Sequence, residues 1–375
     1  MKNNNDNKSL HRAKAAKNDE FYTLLSDIED ELRHYPEGTF KDKIVYCNCD
    51  DGFHQSKFWE FFHLNFSRLG LKRLIATGYK KGEQAYKYEY DGGDGLGWSS
   101  DIRLEECEIT KLEGDGDFRN AECIEILKKA DIVVTNPPFS LFREYLAQLM
   151  GYKKKFIIWG NYNSVGCKNI FPYIKENKIW LGYITHKSLY YRIPDSSTKW
   201  DEKYTAKMND GHKYIIGPAC AIFTNIPIEK HREHLIKEQL WREYYKDPNF
   251  FPKYDNYDAI NVDRVVDIPI DYFGVMGVPI TFLDRYNPEE FEIVGANNHD
   301  DTPCRVERNY TKLGFKFLTI YGEESKAGGL RDRFTCKIPY VNAKEYAISP
   351  DGKIKLQACY SRIFIKRVKK GGKII

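Results

Sequence analysis

The chain has 375 residues, 42% hydrophobic and 30% charged, with a net charge of +4. That length suits one large catalytic domain with an elaborated second part and leaves ample material for a core. No apolar run approaches the ~20 residues of a membrane span, the start from Met1 to Lys17 is polar and basic without an apolar signal region, and a cytoplasmic protein is expected.

Residues 1–18, rich in Asn, Lys and Ala, read as a flexible basic arm. Asp19-Glu20-Phe21-Tyr22-Thr23 leads into Asp27-Ile28-Glu29-Asp30-Glu31-Leu32, whose period is that of a surface helix. Lys43 to Cys49 reads as a first buried strand ending in Asp50-Asp51-Gly52, with Ser56 a candidate cap for a helix through Phe58, Trp59, Phe62 and Phe66. A strand that stops in acidic residues before a helix is a place for a nucleotide-like cofactor. The helix N-terminus favours a carboxylate, and Asp50 or Asp51 can face a cationic end. Acidic turns also simply cap helices, and no Gly-x-Gly is present. Leu71 to Ala76 forms a second strand, with Gly70 closing the helix before it, and Lys80 to Gly97 reads as a hairpin or variable loop. In Glu113-Gly114-Asp115-Gly116-Asp117-Phe118 an acid precedes an aromatic ring, a pairing that can accept from an adenine amino group and cover the ring face, although a polar turn needs the same residues.

After a short helix from Glu122 to Lys129 comes Asp131-Ile132-Val133-Val134-Thr135-Asn136-Pro137-Pro138-Phe139. Three β-branched residues in a row read as a buried parallel strand, which Pro137 and Pro138 forbid from continuing. Leu141, Phe142, Tyr145, Leu146 and Leu149 then recur at helical spacing. Asn136 is thereby held just past a strand end, the edge where ligands collect in open α/β sheets. The Asn136 side-chain carbonyl and the Pro137 main-chain carbonyl offer two acceptors to an exocyclic amine, favouring a tetrahedral nitrogen with its lone pair aimed at an electrophile. This is stabilisation of developing charge by fixed dipoles, and the locked φ of proline keeps those carbonyls in place. Phe139 can lie on the face of the same base, where stacking contributes about 1–3 kcal/mol. Asn-Pro-Pro-Phe alone also makes a stiff strand-to-helix turn. With its strand and helix it points to amino-group methyl transfer.

Lys155 to Gly160 is a further strand, and Ile174 to Gly182 suggests helix then strand, so the alternation implies a doubly wound, mostly parallel α/β sheet. Between Tyr183 and Gly217 the regular pattern fails. His186, Lys187 and Arg192 stand there among tyrosines and lysines, a mixture suited to an inserted DNA-facing loop at about 183–217. Cys220 to Asn225 returns to strand, His231 to Tyr245 reads as a helix with His231 and His234 on a solvated face, and Asn287 to Ile293 reads as the start of another helix. The nine cysteines are scattered, with no Cys-x-x-Cys spacing and no His cluster, so neither a zinc site nor a disulfide framework is expected. From Arg305 to Ile375 there are 17 Lys/Arg against 6 Asp/Glu, an excess of 11 that leaves the preceding residues net negative by 7. A basic, hairpin-like C-terminal region of this kind is the footprint of a polyanionic partner, and Arg331, Arg333 and Arg362 are its candidate DNA contacts.

Taken together, DEFYT (19–23), VYCNCDD (45–51), GDGDFR (114–119), DIVVTNPPFSLF (131–142), KENKIWLG (175–182), KYDNYDAINV (253–262) and GVMGVPITFL (274–283) resemble the EcoRI-type adenine-specific DNA methyltransferases. The resemblance implies the S-adenosylmethionine-dependent methyltransferase fold over 19–295, with 296–375 as a β-rich recognition region. It implies transfer of methyl from S-adenosyl-L-methionine to adenine N6 in double-stranded DNA, with Asn136, Pro137, Pro138 and Phe139 at the flipped adenine. By the same resemblance Phe21, Tyr22 and Thr23 close over the cofactor's methionine end, Asp50 and Asp51 stand in the first-strand loop, and Asp117 and Phe118 hold the cofactor's adenine. A monomer is expected, with a cognate restriction endonuclease as a possible partner that forms no stable complex. The turn by itself leaves open an RNA or protein amino group, cytosine N4, or a non-catalytic DNA-binding relative. No acidic residue ends the second strand at Ala76-Thr77-Gly78, so the ribose contact is not legible.

Overall fold

A computed structural model describes residues 23–49, 57–80, 82–92, 107–192, 205–207, 211–235, 243–296, 313–319, 321–324, 335–336, 345–358 and 362–368. The chain divides into two compact units, Met1–Ser164 with Ile179–Glu229, and Val165–Lys178 with Lys230–Ile375.

The first unit is built on a sheet whose centre is four parallel strands, β1 (Ile44–Asn48), β2 (Arg73–Thr77), β5 (Ile132–Thr135) and β6 (Lys155–Asn161). On one side β3 (Tyr86–Tyr90) and β4 (Glu108–Lys111) add antiparallel to β2. On the other, β9 (Lys213–Thr224) runs antiparallel to β6 and pairs with β7 (Trp180–Arg192) and the short β8 (Thr205–Lys207). The order β4-β3-β2-β1-β5-β6-β9-β7 reverses direction of winding between β1 and β5. Ligands in doubly wound sheets gather outside the strand ends at such a switch point.

The central strands are apolar on both faces because helices cover both. Val45, Cys47, Leu74, Ala76, Ile132, Val134, Ile157 and Trp159 share one core with α1 (Leu25–Leu32) and α2 (Lys57–Leu64), which bring Ile28, Leu32, Phe58, Trp59, Phe61 and Phe62. Each fully buried aromatic of this kind contributes about 1.5–3 kcal/mol of transfer free energy. The alternate residues Tyr46, Ile75, Val133, Phe156 and Ile158 are also buried, as period-two geometry requires. After α3 (Phe66–Leu69), which the left-handed Gly70 closes, the helices α4 (Ala121–Lys129) and α5 (Phe142–Gly151) contribute Cys123, Leu127, Phe142, Tyr145, Leu146 and Leu149.

Two expectations change in this unit. The helix read as a surface helix, α1, buries Asp27 and Glu31 as well as its apolar side. The Glu31 carboxylate, fully buried, accepts from the Tyr183 and Ile184 amides at 3.0 and 2.7 Å and from the Tyr35 hydroxyl at 3.1 Å. Those amides lie where β7 and β9 slip register between Leu181 and Thr185, so a side chain supplies what the bulge takes from the ladder. The regular pattern also does not fail at Tyr183. Strand β7 continues to Arg192, with bulges that hide its period from the sequence, and its partner β9 begins at Lys213. Ser56, the expected cap, lies outside the described residues.

In the second unit α6 (Phe171–Lys175) precedes a sheet of β10 (Ile260–Asn261), β11 (Met276–Pro279), β12 (Phe291–Ala296) and β17 (Arg362–Arg367), ordered β10-β11-β17-β12. A second sheet joins β13 (Lys316–Thr319), β14 (Thr335–Cys336), β15 (Glu345–Ile348) and β16 (Lys355–Ala358), all antiparallel. The helix expected from Asn287 is instead a turn followed by β12. Phe291 and Ile293 are buried with Glu292 exposed between them, a period of two that the short apolar run did not separate from a helical one. In place of the helix expected from His231, the described residues form a 3-10 turn at Glu229–Arg232, with His231 buried, while His234 Nδ1 meets the buried Glu290 carboxylate at 2.8 Å. The boundary expected at 296 falls between β12 and β17, which are neighbours in one sheet.

Candidate active site

The C-terminal ends of β1 and β5 lie side by side. Their ladder is registered at Val45–Ile132 and Tyr46–Val133, and beyond it the Thr135 hydroxyl donates to the Asn48 carbonyl, tying the two strand ends together. Asn136, Pro137, Pro138 and Phe139 follow at once, and the turn closes with the Leu141 amide on the Pro138 carbonyl at 2.9 Å and the Tyr145 amide on the Leu141 carbonyl at 2.9 Å. Pro137 is buried and Asn136, Pro138 and Phe139 are half-buried. The Asn136 amide donates through Nδ2 to Thr23 Oγ1 at 3.1 Å. Phe139 packs in part against the core shared with α1 and α2.

Beneath this edge is a buried polar cluster. Asn48 Oδ1 accepts from the Cys49 amide at 2.8 Å and lies 3.5 Å from Thr77 Oγ1, which is 2.6 Å from the Tyr46 hydroxyl. Burial pushes the Tyr46 and Tyr145 phenols well above their usual range, so both are neutral hydroxyls. Cys49 holds φ of 65°, left-handed for a non-glycine residue at the turn where a nucleotide loop would begin. Among the described residues, Asn48 Nδ2 and the Tyr145 hydroxyl are buried without a hydrogen-bond partner. An orphaned donor at the end of β1 fits a polar group bound at this edge. Asp50 and Asp51 lie outside the described residues, as do Phe21 and Tyr22.

The loop after β4 reaches the same edge. Lys80 donates its amide to the Asp115 carbonyl at 2.8 Å, and Gly116, at φ of 78°, presses against the Gly78 carbonyl so closely that a Cβ would overlap it. The segment after β2, where an acid was sought, is thereby held against this loop. Asp117 accepts from Arg119 Nε at 2.8 Å and Nη2 at 2.5 Å, and the guanidinium lies 5.3 Å from the Phe118 ring centroid. These hydrogen bonds hold the Asp117 carboxyl below its ordinary range. Phe118 is buried, edge-on to Tyr145 at 5.0 Å, and Gln148 donates to its carbonyl at 3.0 Å. Arg119 thus satisfies the acid and covers the ring that the resemblance gives to an adenine. It stands two residues after Asp117 and was legible in GDGDFR. Asn48, Thr135 and Tyr145 were legible only as strand-end and helix-face positions and Gln148 not at all, because the partner that gives each its place lies far along the chain.

Of the candidate DNA contacts, His186, Lys187 and Arg192 lie on β7, and Arg331 and Arg333 lie outside the described residues. Arg362 is not placed to grip a phosphate. It is buried, donating from Nε to Asn261 at 3.0 Å and from Nη2 to Asp263 at 3.1 Å, and the Tyr254 hydroxyl joins the same Asn261 oxygen. A cation sealed in such a pair is engaged within its own sheet and is not free to meet a phosphate.

A doubly wound, mostly parallel central sheet carrying Asn-Pro-Pro-Phe at the switch point is consistent with a methyltransferase fold. Residues 9–368 match the family profile described as adenine-specific methyltransferase EcoRI. The chain is 45% identical over 306 residues to the type II methyltransferase M.EcoRI of Escherichia coli, covering 78% of this chain and 90% of that protein. It is 39% identical to the type II methyltransferase M.MpnI of Mycoplasma pneumoniae (76% and 84% covered) and 39% identical to M.MgeORF184P of Mycoplasma genitalium (76% and 85%). No solved structure matches. The chain belongs to the EcoRI adenine-specific methyltransferase family, and the enzyme therefore needs a methyl donor.

Proposed function

We propose that this enzyme takes S-adenosyl-L-methionine as its methyl donor and methylates adenine N6 at a specific site in double-stranded DNA, after turning the adenine out of the helix. The observation that carries the reading is the placement of the Asn136 amide and Pro137 at the end of β5, beside the orphaned Asn48 amide at the end of β1. The cofactor supplies an electrophilic methyl group. Adenine N6 is engaged in pairing and its lone pair is delocalised, so extrusion costs a few kcal/mol and the amine must be pyramidalised. The Asn136 and Pro137 carbonyls accept its two N–H bonds, and the fixed dipoles stabilise the charge that develops on nitrogen. Phe139 stacks on the extruded base. Phe21, Tyr22, Asp50, Asp51, Asp117 and Phe118 hold the cofactor, with Arg119 displaced from the Asp117 carboxylate and the Phe118 face. His186, Lys187 and Arg192 on β7, with Arg331 and Arg333, supply phosphate contacts that give affinity without sequence information.

The deciding experiment incubates the protein with methyl-labelled cofactor and, separately, duplex DNA, RNA and protein, then digests the labelled product to nucleosides for mass spectrometry. N6-methyladenine from duplex DNA is expected. Label in RNA, in protein or on cytosine N4 would replace this reading, and sequencing the modified positions gives the recognition site.

A further inference from the structure

Reading Asn136 as an acceptor for the target amine raises a question of orientation. A side-chain amide has two ends of nearly the same shape, one a donor and one an acceptor, and only the acceptor end can meet an amino group productively. Something must choose between them. In the structure Nδ2 of Asn136 donates to Thr23 Oγ1 at 3.1 Å, so the hydroxyl oxygen meets the donor end of the amide and Oδ1 lies on the opposite side.

Thr23 is well built for this. It is 4% exposed, so its hydroxyl competes little with water, and β-branching restricts its rotamer. It stands two residues before α1, and the Leu24 carbonyl takes the Asp27 and Ile28 amides at 3.1 and 3.3 Å. The helix is fixed at its other end by Glu31 on the Tyr183 and Ile184 amides, and along its length by Ile28 and Leu32 in the core. The hydroxyl therefore hangs from a rigid element.

We infer that Thr23 is a positioning residue for methyl transfer, its hydroxyl holding the Asn136 amide with the carbonyl end toward the target amine. This role acts through Asn136 and differs from closure over the cofactor. It rests on the proposed function of Asn136, and the test separates the two.

Thr23→Val keeps shape and removes the hydroxyl, Thr23→Ser keeps the hydroxyl, and both are compared with Asn136→Ala and with the Thr23→Val/Asn136→Ala double variant. The measurements are the single-turnover methylation rate on duplex DNA and calorimetric affinities for S-adenosyl-L-methionine and for DNA. Thr23→Val should lower the single-turnover rate about tenfold, the scale of one neutral hydrogen bond, with both affinities unchanged. Thr23→Ser should restore most of the rate, and the double variant should be no slower than Asn136→Ala. Weakened cofactor binding at an unchanged rate would make Thr23 a cofactor contact and overturn the inference, as would a further loss in the double variant or failure of Ser to rescue. A wild-type rate for Asn136→Ala would instead overturn the role of Asn136 itself. Should Thr23→Val not fold, the Ser variant decides: a rate near wild type with unchanged affinities supports the inference, and a tenfold loss overturns it.

Discussion

On the role proposed for Asn136, its replacement by Ala removes one preorganised acceptor from the developing charge on the amine, so turnover should fall by about 10²–10³ while DNA binding persists. A filter-binding assay beside the methylation assay separates the two. Asp117 makes a different kind of prediction. Its carboxyl is held below the ordinary range by the hydrogen bonds from Arg119, so its folded pKa lies below its unfolded one. Its contribution to stability is complete above the usual carboxylate range and is lost as pH falls through the lowered value. Arg119→Gln should therefore flatten the acid limb of the stability profile read by urea unfolding between about pH 5 and 2, and a profile unchanged from wild type would remove the pair from the account. These residues differ in how they could be read. Asn136 announces itself because two prolines follow a β-branched run, a purely local signal. The partners that give it an orientation and a neighbour, Thr23 and Asn48, are 113 and 88 positions away and no local pattern points to them.

At the scale of single elements, the clamp between α1 and β7 has a measurable cost if broken. Glu31→Ala leaves the Tyr183 and Ile184 amides without their acceptor and should destabilise the first unit by about 2–4 kcal/mol, whereas Glu31→Gln keeps an acceptor oxygen and should cost less. Urea unfolding of the three proteins tests this. The C-terminus of α5 offers the opposite sign. Lys153 is left-handed at φ of 55°, with its amide on the Met150 carbonyl and the Lys154 amide on the Leu149 carbonyl, a helix ending that favours glycine. Lys153→Gly should stabilise by about 1 kcal/mol, read as a higher urea midpoint at constant slope. The elements themselves were legible where burial on both faces makes apolar runs, as in β1, β2, β5 and β6. They were misread where a strand is interrupted by bulges, as in β7, or where a short apolar run fits two periods, as in β12.

For the molecule as a whole, the excess of positive charge is concentrated at the C-terminal end, and phosphate contacts there imply a steep salt dependence. With about six such contacts, affinity for duplex DNA should fall by about 10³ between roughly 50 and 200 mM salt. A flat response would take the C-terminal region out of DNA binding. The burial of Arg362 against Asp263 already shows that not every cation of that region is available, since net charge counts residues and says nothing of which are sealed inside a sheet.

By itself the sequence determined the class of fold, the central strands and the Asn-Pro-Pro-Phe turn to which the chemistry is assigned, because each depends on residues within a dozen positions of one another. Only the tertiary structure decided that Thr23 meets Asn136, that Thr135 bonds to Asn48, that Arg119 covers Phe118, that Glu31 lies inside and that Arg362 is spent on Asp263. Those facts follow from the packing of distant segments, where burial converts an ordinary polar side chain into one that must find a partner, and chain order does not encode which partner that is.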